Sequence, residues 1–324
     1  MSSIEVYRSE FVAYLKDKAG VKEPRNLYEP MAYILSLGGK RLRPVLVLMA
    51  ADICGDGYKN ALDAALAVEV FHNFSLVHDD IMDDAPLRRG KPSVHEKWDI
   101  NTGILSGDAM LIKAYQLFEK YPDPIFRNLA QLFSSTAIAV CEGQQYDMDF
   151  EEEEEVSLSE YLTMIEYKTA VLVAAALQMG AIIAGAPEAS QNALYAFGRN
   201  LGIAFQIKDD YLDVFGDPET FGKQVGGDII ENKKTFLYLK AMELGNPKER
   251  QELLDLYSIQ PEDPRAKINS IKSIFRDSGA AQRTEEEIAS YTQKAFTSLE
   301  NLHVAEGGKA LLYEFGENLM NRKV

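Results

Sequence analysis

Apolar residues recur at helical spacing along almost the whole chain, and no run alternates like a half-buried strand between turn signals. A chain of 324 residues patterned this way is predicted to be all-α. Helix breaks are expected at "LGG" (37–39), "CGDG" (54–57), Pro86, "YPDP" (121–124), Gly185 to Pro187, "FGDP" (215–218) and "PEDP" (261–264), leaving about ten helices. No stretch has the composition of a linker and no repeat has a solenoid period, so one domain over residues 1–324 is expected.

A net charge of -16 argues against nucleic acid, because phosphate-backbone binding needs a basic surface to release counterions. Cys54 and Cys141 are isolated, so neither a disulfide framework nor a cysteine zinc site is indicated, and a reducing, cytoplasmic location is expected. The first twenty residues alternate charge with apolar positions at helical spacing and lack the apolar core of a signal peptide. "AVLVAAALQMGAIIAGA" (170–186) is long enough to raise the question of a membrane span. It is alanine-rich and interrupted by Gln178, and it reads as a core helix, so an integral membrane protein is not expected. The acidic run "EEEEE" (151–155) reads as a solvated, self-repelling helix end or loop.

"ALDAALAVEVFHNFSLVHDDIMDD" (61–84) reads as one long apolar helix that Pro86 ends near Asp84. Asp79, Asp80, Asp83 and Asp84 then crowd its negative pole, where a carboxylate loses about 0.3–1 kcal/mol instead of gaining it. Asp79 and Asp83 point about 40° apart on an ideal helix, so both can reach one hard cation. "NLGIAFQIKDDYLDVFGDP" (200–218) repeats the design with Asp209, Asp210 and Asp213. One acidic helix end is ordinarily a solvated terminus; two copies of DDxxD on apolar helices point to metal. Oxygen-only ligands select Mg2+ over zinc, and neither site has the loop glycine and closing glutamate of an EF-hand.

Mg2+ held by few carboxylates keeps positions open for substrate phosphates. The basic residues agree with that. Lys40, Arg41 and Arg43 follow a double glycine and sit at the positive pole of a helix with Pro44 in its first turn, where cations are misplaced unless an anion binds. Arg88 and Arg89 directly follow the first acidic cluster, and guanidinium forks suit phosphate.

"GGKRLRP", "LVHDDIMDDAPLRRG", "EYKTA" and "FQIKDDYLDVFGDPETFGKQVGGDIIENKKT", in this order and spacing, resemble the trans-isoprenyl diphosphate synthases, which include the farnesyl and geranylgeranyl diphosphate synthases. The resemblance implies an isoprenoid synthase helical bundle around a central cavity, usually a homodimer, with the two aspartate helices facing each other across its mouth. It implies Asp79, Asp83 and Asp209 as Mg2+ ligands, Asp80 in a supporting place, and Asp210 and Asp213 near the metal's waters. Lys40, Arg43, Arg89 and His72 match positions that hold the diphosphate of isopentenyl diphosphate, and Arg41 adjoins them. Arg88, Lys168, Lys223 and Lys233 match contacts to the allylic diphosphate. Thr169 and Gln206 match residues that stabilise a developing cation.

The implied reaction is head-to-tail condensation of isopentenyl diphosphate with an allylic diphosphate (dimethylallyl, geranyl or farnesyl) through an allylic carbocation, in a cavity dry enough to spare that cation from water. Residues just before the first DDxxD set the cavity floor in the family. Here these are Phe74 and the small Ser75, with Phe71 a further candidate, which favours a twenty-carbon product ahead of a fifteen-carbon one. A terpene cyclase would lack a use for the second aspartate motif and GGKRLRP. A non-catalytic regulatory subunit would be expected to have lost some of these residues.

Overall fold

The computed structural model describes residues 3–55, 57–153, 155–217 and 226–321. They fall into two compact units, one within Met1–Ser135, Ala175–Leu194 and His303–Gly308, the other within Thr136–Ala174, Tyr195–Leu302 and Lys309–Val324. Among the described residues the structure is helical apart from one two-stranded hairpin.

The first unit opens with α1 (Ile4–Lys18), whose buried Tyr7, Phe11 and Leu15 recur every fourth residue and so share one stripe. α2 (Arg25–Ser36) ends before the double glycine, as expected. α3 (Leu42–Cys54) is buried at almost every position and is therefore a central helix rather than an amphipathic one. α4 (Leu62–Met82) carries the first acidic cluster and buries Ala64 to Phe71 without a break. Strands β1 (Leu87–Arg88) and β2 (Lys91–Pro92) pair antiparallel, followed by the single turn α5 (Val94–Lys97).

α6 (Ile100–Phe118) starts at Asp99, whose carboxylate accepts the Thr102 N–H at 2.8 Å. Its Gly103 and Gly107 admit α4 closely: a Cβ on Gly107 would lie 2.2 Å from His78 Nε2. α7 (Asp123–Glu152) gives this unit Phe133, which with Phe71 and Phe118 forms an aromatic knot with ring centroids 5.0 and 5.1 Å apart. Burying each such ring contributes about 1.5–3 kcal/mol.

In the second unit, α8 (Leu158–Ile165) begins with a capping box between Ser157 and Glu160. It passes into a π-helical turn, Glu166–Ala170, and then α9 (Val171–Ile183), whose residues from Ala175 onward belong to the first unit. The turn coincides with the EYKTA motif, and two glycines make room for it. A Cβ on Gly143 would lie 2.2 Å from the Lys168 nitrogen, and one on Gly202 would lie 2.8 Å from Ala170 Cα. α10 (Glu188–Phe215) carries the second acidic cluster. Behind it come α11 (Gly227–Ile230), α12 (Phe236–Leu244), α13 (Pro247–Tyr257), α14 (Arg265–Asp277), α15 (Ala280–Ser298) and α16 (Glu306–Asn321). Tyr161, Ile207, Phe236, Leu253, Ile271 and Phe275 anchor this unit's core.

The structure corrects three expectations. The helices outnumber ten because Gly245 and Gly279 also end helices, the latter at φ +82°, where glycine meets no Cβ penalty. α4 stops at Met82 rather than near Asp84, and Asp84 turns away at φ +47°. The hairpin was not expected, because two-residue strands are too short to show alternation. The segment Leu158–Ile183 is long and apolar enough to cross a membrane by length and composition, but 67% of its apolar window is buried within the structure, which accounts for that composition.

Candidate active site

In the first unit, the charges cluster around His72. Its ring lies 3.3 Å from Arg43 Nη1, which donates, so Nε2 is the accepting nitrogen. Burial drives this imidazole well below its ordinary value, and the guanidinium groups of Arg43, Arg89, Arg41 and Arg88 drive it further, so the ring is neutral. Arg43 Nε is buried and has no hydrogen-bond partner among the described residues. Arg41 is the exception within the group: its guanidinium is committed to Glu69 and the Leu35 carbonyl, at 7% exposure, and its backbone takes φ +50° just before α3. Arg89 donates to the Gly38 carbonyl and lies over Gly39, where a Cβ would stand 2.8 Å from its guanidinium carbon. With φ at +117°, Gly39 is thus a seat for Arg89 rather than a flexible joint. Lys40 is exposed beside it.

The end of α4 distributes its aspartates unequally. Asp80 is wholly buried, and both Nε and Nη2 of Arg88 donate to its Oδ1. Its Oδ2 is buried without a partner among the described residues. Asp79 is partly buried and Asp83, the C-cap, is exposed. Phe74 is buried with its ring 5.5 Å from Phe71 and 4.8 Å from His78, while the Ser75 hydroxyl donates back to the His72 carbonyl. Phe71 joins Phe74 to the aromatic knot through Phe133.

In the second unit, Asp210 is the buried aspartate. The Tyr161 hydroxyl donates to its Oδ2 at 2.5 Å and Gln206 Nε2 to its Oδ1 at 3.0 Å. Gln206 so oriented turns its carbonyl oxygen toward the Thr169 hydroxyl, 3.4 Å away. Burial holds Asp210 well above the usual carboxylate range, and Asp228 and Asp209 push the same way against the two donors. Asp209 and Asp213 are partly exposed, and Asp213 accepts the Asp228 N–H at 3.1 Å. Lys168 pairs with Asp147 at 2.5 Å. Lys233 pairs with Glu231 at 2.8 Å; burial lowers its basicity, but Glu231, Asp228 and Asp147 outweigh that and raise it. Lys223 lies outside the described residues.

The donor chemistry fits a hard divalent cation. Each helix end offers carboxylate oxygens; among the described residues Asp80 keeps an orphaned buried oxygen, and Asp210 is crowded by like charges with no cationic side chain among its hydrogen-bond donors. Glu69, Asp147, Tyr161 and Asp228 were not foreseen from the sequence. Glu69 alone left a signal, as a lone acid inside an apolar helix that requires a buried base.

The polyprenyl synthetase profile matches residues 24–275. This chain belongs to the polyprenyl synthetase family. A geranylgeranyl diphosphate synthase of Methanosarcina mazei is 44% identical over 227 residues, covering 69% of this chain and 70% of that one. The crystal structure of a geranylgeranyl pyrophosphate synthase matches with a TM-score of 0.96 at 54% identity, over 100% of both chains. A polyprenyl synthase from Caulobacter crescentus, solved in complex with calcium and isoprenyl diphosphate, matches with a TM-score of 0.85 at 29% identity, over 99% of this chain and 96% of that one.

Proposed function

We propose that this polyprenyl synthetase is a Mg2+-dependent trans-prenyltransferase that condenses isopentenyl diphosphate with allylic diphosphates to geranylgeranyl diphosphate. The observation that carries the reading is the gathering of Arg41, Arg43, Arg88 and Arg89 around a neutral His72, beside a helix end rich in aspartate. Such a cluster is stabilised by a polyanion. Its relatives named as geranylgeranyl synthases support the substrate class and the product length.

Lys40, Arg43, His72 and Arg89 would hold the diphosphate of isopentenyl diphosphate, with Arg41 bracing them through Glu69. Arg88, Lys168, Lys223 and Lys233 would hold the allylic diphosphate. Asp79, Asp83 and Asp209 would be the metal ligands, with Asp213 at its waters and Asp80 and Asp210 as buried holders. Bound Mg2+ would supply charge stabilisation to the departing diphosphate. The Gln206 carbonyl oxygen and Thr169 hydroxyl would face the allylic cation with their negative ends. Isopentenyl diphosphate would attack that cation through its double bond and then lose a proton. Phe74 and Phe71 would stop the growing chain, with Ser75 leaving room for twenty carbons.

The test is incubation of purified protein with isopentenyl diphosphate and each allylic diphosphate, with Mg2+ or with chelator, followed by chromatography of the dephosphorylated products. A twenty-carbon alcohol formed only with Mg2+ is expected. No prenyl product under any pairing would overturn the reading.

The profile match takes in parts of both units, which supports a single domain over residues 1–324. Ile100, Ile104, Leu105 and Ile112 leave α6 with exposed apolar side chains, which supports a homodimer paired through that helix. Sedimentation should give twice the chain mass, and Ile104→Asp with Leu105→Asp should shift it toward the single chain. The absence of disulfides at Cys54 and Cys141 is compatible with a cytoplasmic location.

A further inference from the structure

Asp84 has no part in the reaction described above, and neither has His95. The structure brings them together. Strands β1 and β2 pair Leu87 with Pro92 and Arg88 with Lys91, and the Ser93 N–H donates to the Pro86 carbonyl at 3.0 Å. This hairpin returns the chain so that the ligand atoms of Asp84, His95 and Glu96 all lie within 4.8 Å of one another.

His95 is 8% exposed, yet neither Nδ1 nor Nε2 has a hydrogen-bond partner among the described residues. A neutral imidazole has one N–H and one lone pair, and leaving a buried polar group unsatisfied costs about 1–3 kcal/mol. Glu96 Oε1 stands 3.8 Å from His95 Nε2, too far for a hydrogen bond. The spacing is close to that of two ligands on one ion, since donors bound at about 2.1 Å in tetrahedral geometry lie about 3.4 Å apart. Glu96 and Asp84 are exposed, so their side chains are free to make the small closing rotation.

We propose that Asp84, His95 and Glu96 bind one divalent transition-metal ion of the Zn2+ or Mn2+ class, through an imidazole nitrogen and two carboxylate oxygens. Mixed nitrogen and oxygen donors select such an ion over Mg2+ or Ca2+. Three protein ligands leave a position for water. The site differs from the aspartate motifs in its nitrogen donor, and its ion would tie the two ends of the hairpin that presents Arg88 and Arg89. Its occupancy would thereby steady two guanidinium groups without touching substrate.

The test is three-pulse electron spin-echo modulation of the full-length protein, stripped of metal, held in excess Mg2+ and given one equivalent of Cu2+. The readout needs no substrate, so it stands apart from prenyl transfer. Imidazole 14N modulation is expected in the wild type and in Asp79→Ala, and its loss is expected in His95→Gln. Absence of the modulation in the wild type, or its survival in His95→Gln, would overturn the proposal. Should His95→Gln fail to fold, the exposed change Glu96→Gln is expected to weaken Cu2+ binding at least tenfold; unchanged affinity would also overturn it.

Discussion

Asp80 and Asp210 hold the same place in two copies of one motif and are compensated by opposite means. Asp80 is met by a guanidinium, with two donors of Arg88 on one oxygen. Asp210 is met by a phenol and an amide, with Asp228 and Asp209 adding negative charge nearby. A buried carboxylate needs either a counter-charge or a proton. The first helix end has been given the counter-charge by the chain; among the described residues the second has been given hydrogen-bond donors alone, and its charged form is correspondingly disfavoured. The same local pattern therefore acts in two electrostatic settings, and each setting can be disturbed separately.

The largest expected effect lies on the half-buried members, where the two clusters should behave alike. Asp79→Ala and Asp209→Ala are each expected to cut turnover by about 10²–10³-fold with the fold intact, because each removes a source of leaving-group stabilisation. Steady-state rates with circular dichroism check this, and a wild-type rate in either variant would remove that cluster from the chemistry.

On the buried members the clusters should part. Asp80→Asn strips Arg88 of its carboxylate and is expected to cost about 1–3 kcal/mol in urea unfolding, discounted from a fully buried pair because Arg88 is partly exposed. Asp210→Asn keeps an acceptor for Tyr161 and replaces a carboxyl whose charged form burial and Asp228 already disfavour, so it is expected to stay within about 1 kcal/mol of wild type. Equal losses in the two variants would erase the contrast.

The smallest effect tests the cationic side of the comparison. The His72 value is depressed in the folded state, so below pH 6.5 the unfolded chain takes up a proton that the folded one refuses. Stability from this group is whole above pH 6.5 and declines as pH falls toward the folded value, by at most about 1.4 kcal/mol per pH unit. His72→Gln is expected to flatten that part of the urea-midpoint profile; an unchanged slope would mean that burial and the arginines do not depress this ring in the folded state.

The helical class and both acidic clusters were legible because they rest on short-range pattern: apolar period, and charge placed against the helix pole. The placement of Lys40 and Arg43 at the start of α3 was legible for the same reason. What decides the contrast between Asp80 and Asp210 was not, because Tyr161 and Asp147 reach Asp210 and Lys168 from distant parts of the chain. The π-helical turn that presents Lys168 and Thr169 was hidden as well, since it depends on Gly143 and Gly202 lying against it. The double glycine is visible in the sequence but its reason is not, because its second member is a platform for a guanidinium that arrives from fifty residues further along the chain.

That platform ties two distant codons together. A side chain at residue 39 would have to displace Arg89, and a smaller residue at 89 would leave the bare backbone at 39 with nothing resting on it. Change at 39 is barred twice over, by the guanidinium and by a φ of +117° that strains any side chain, so the glycine should outlast the arginine in evolution.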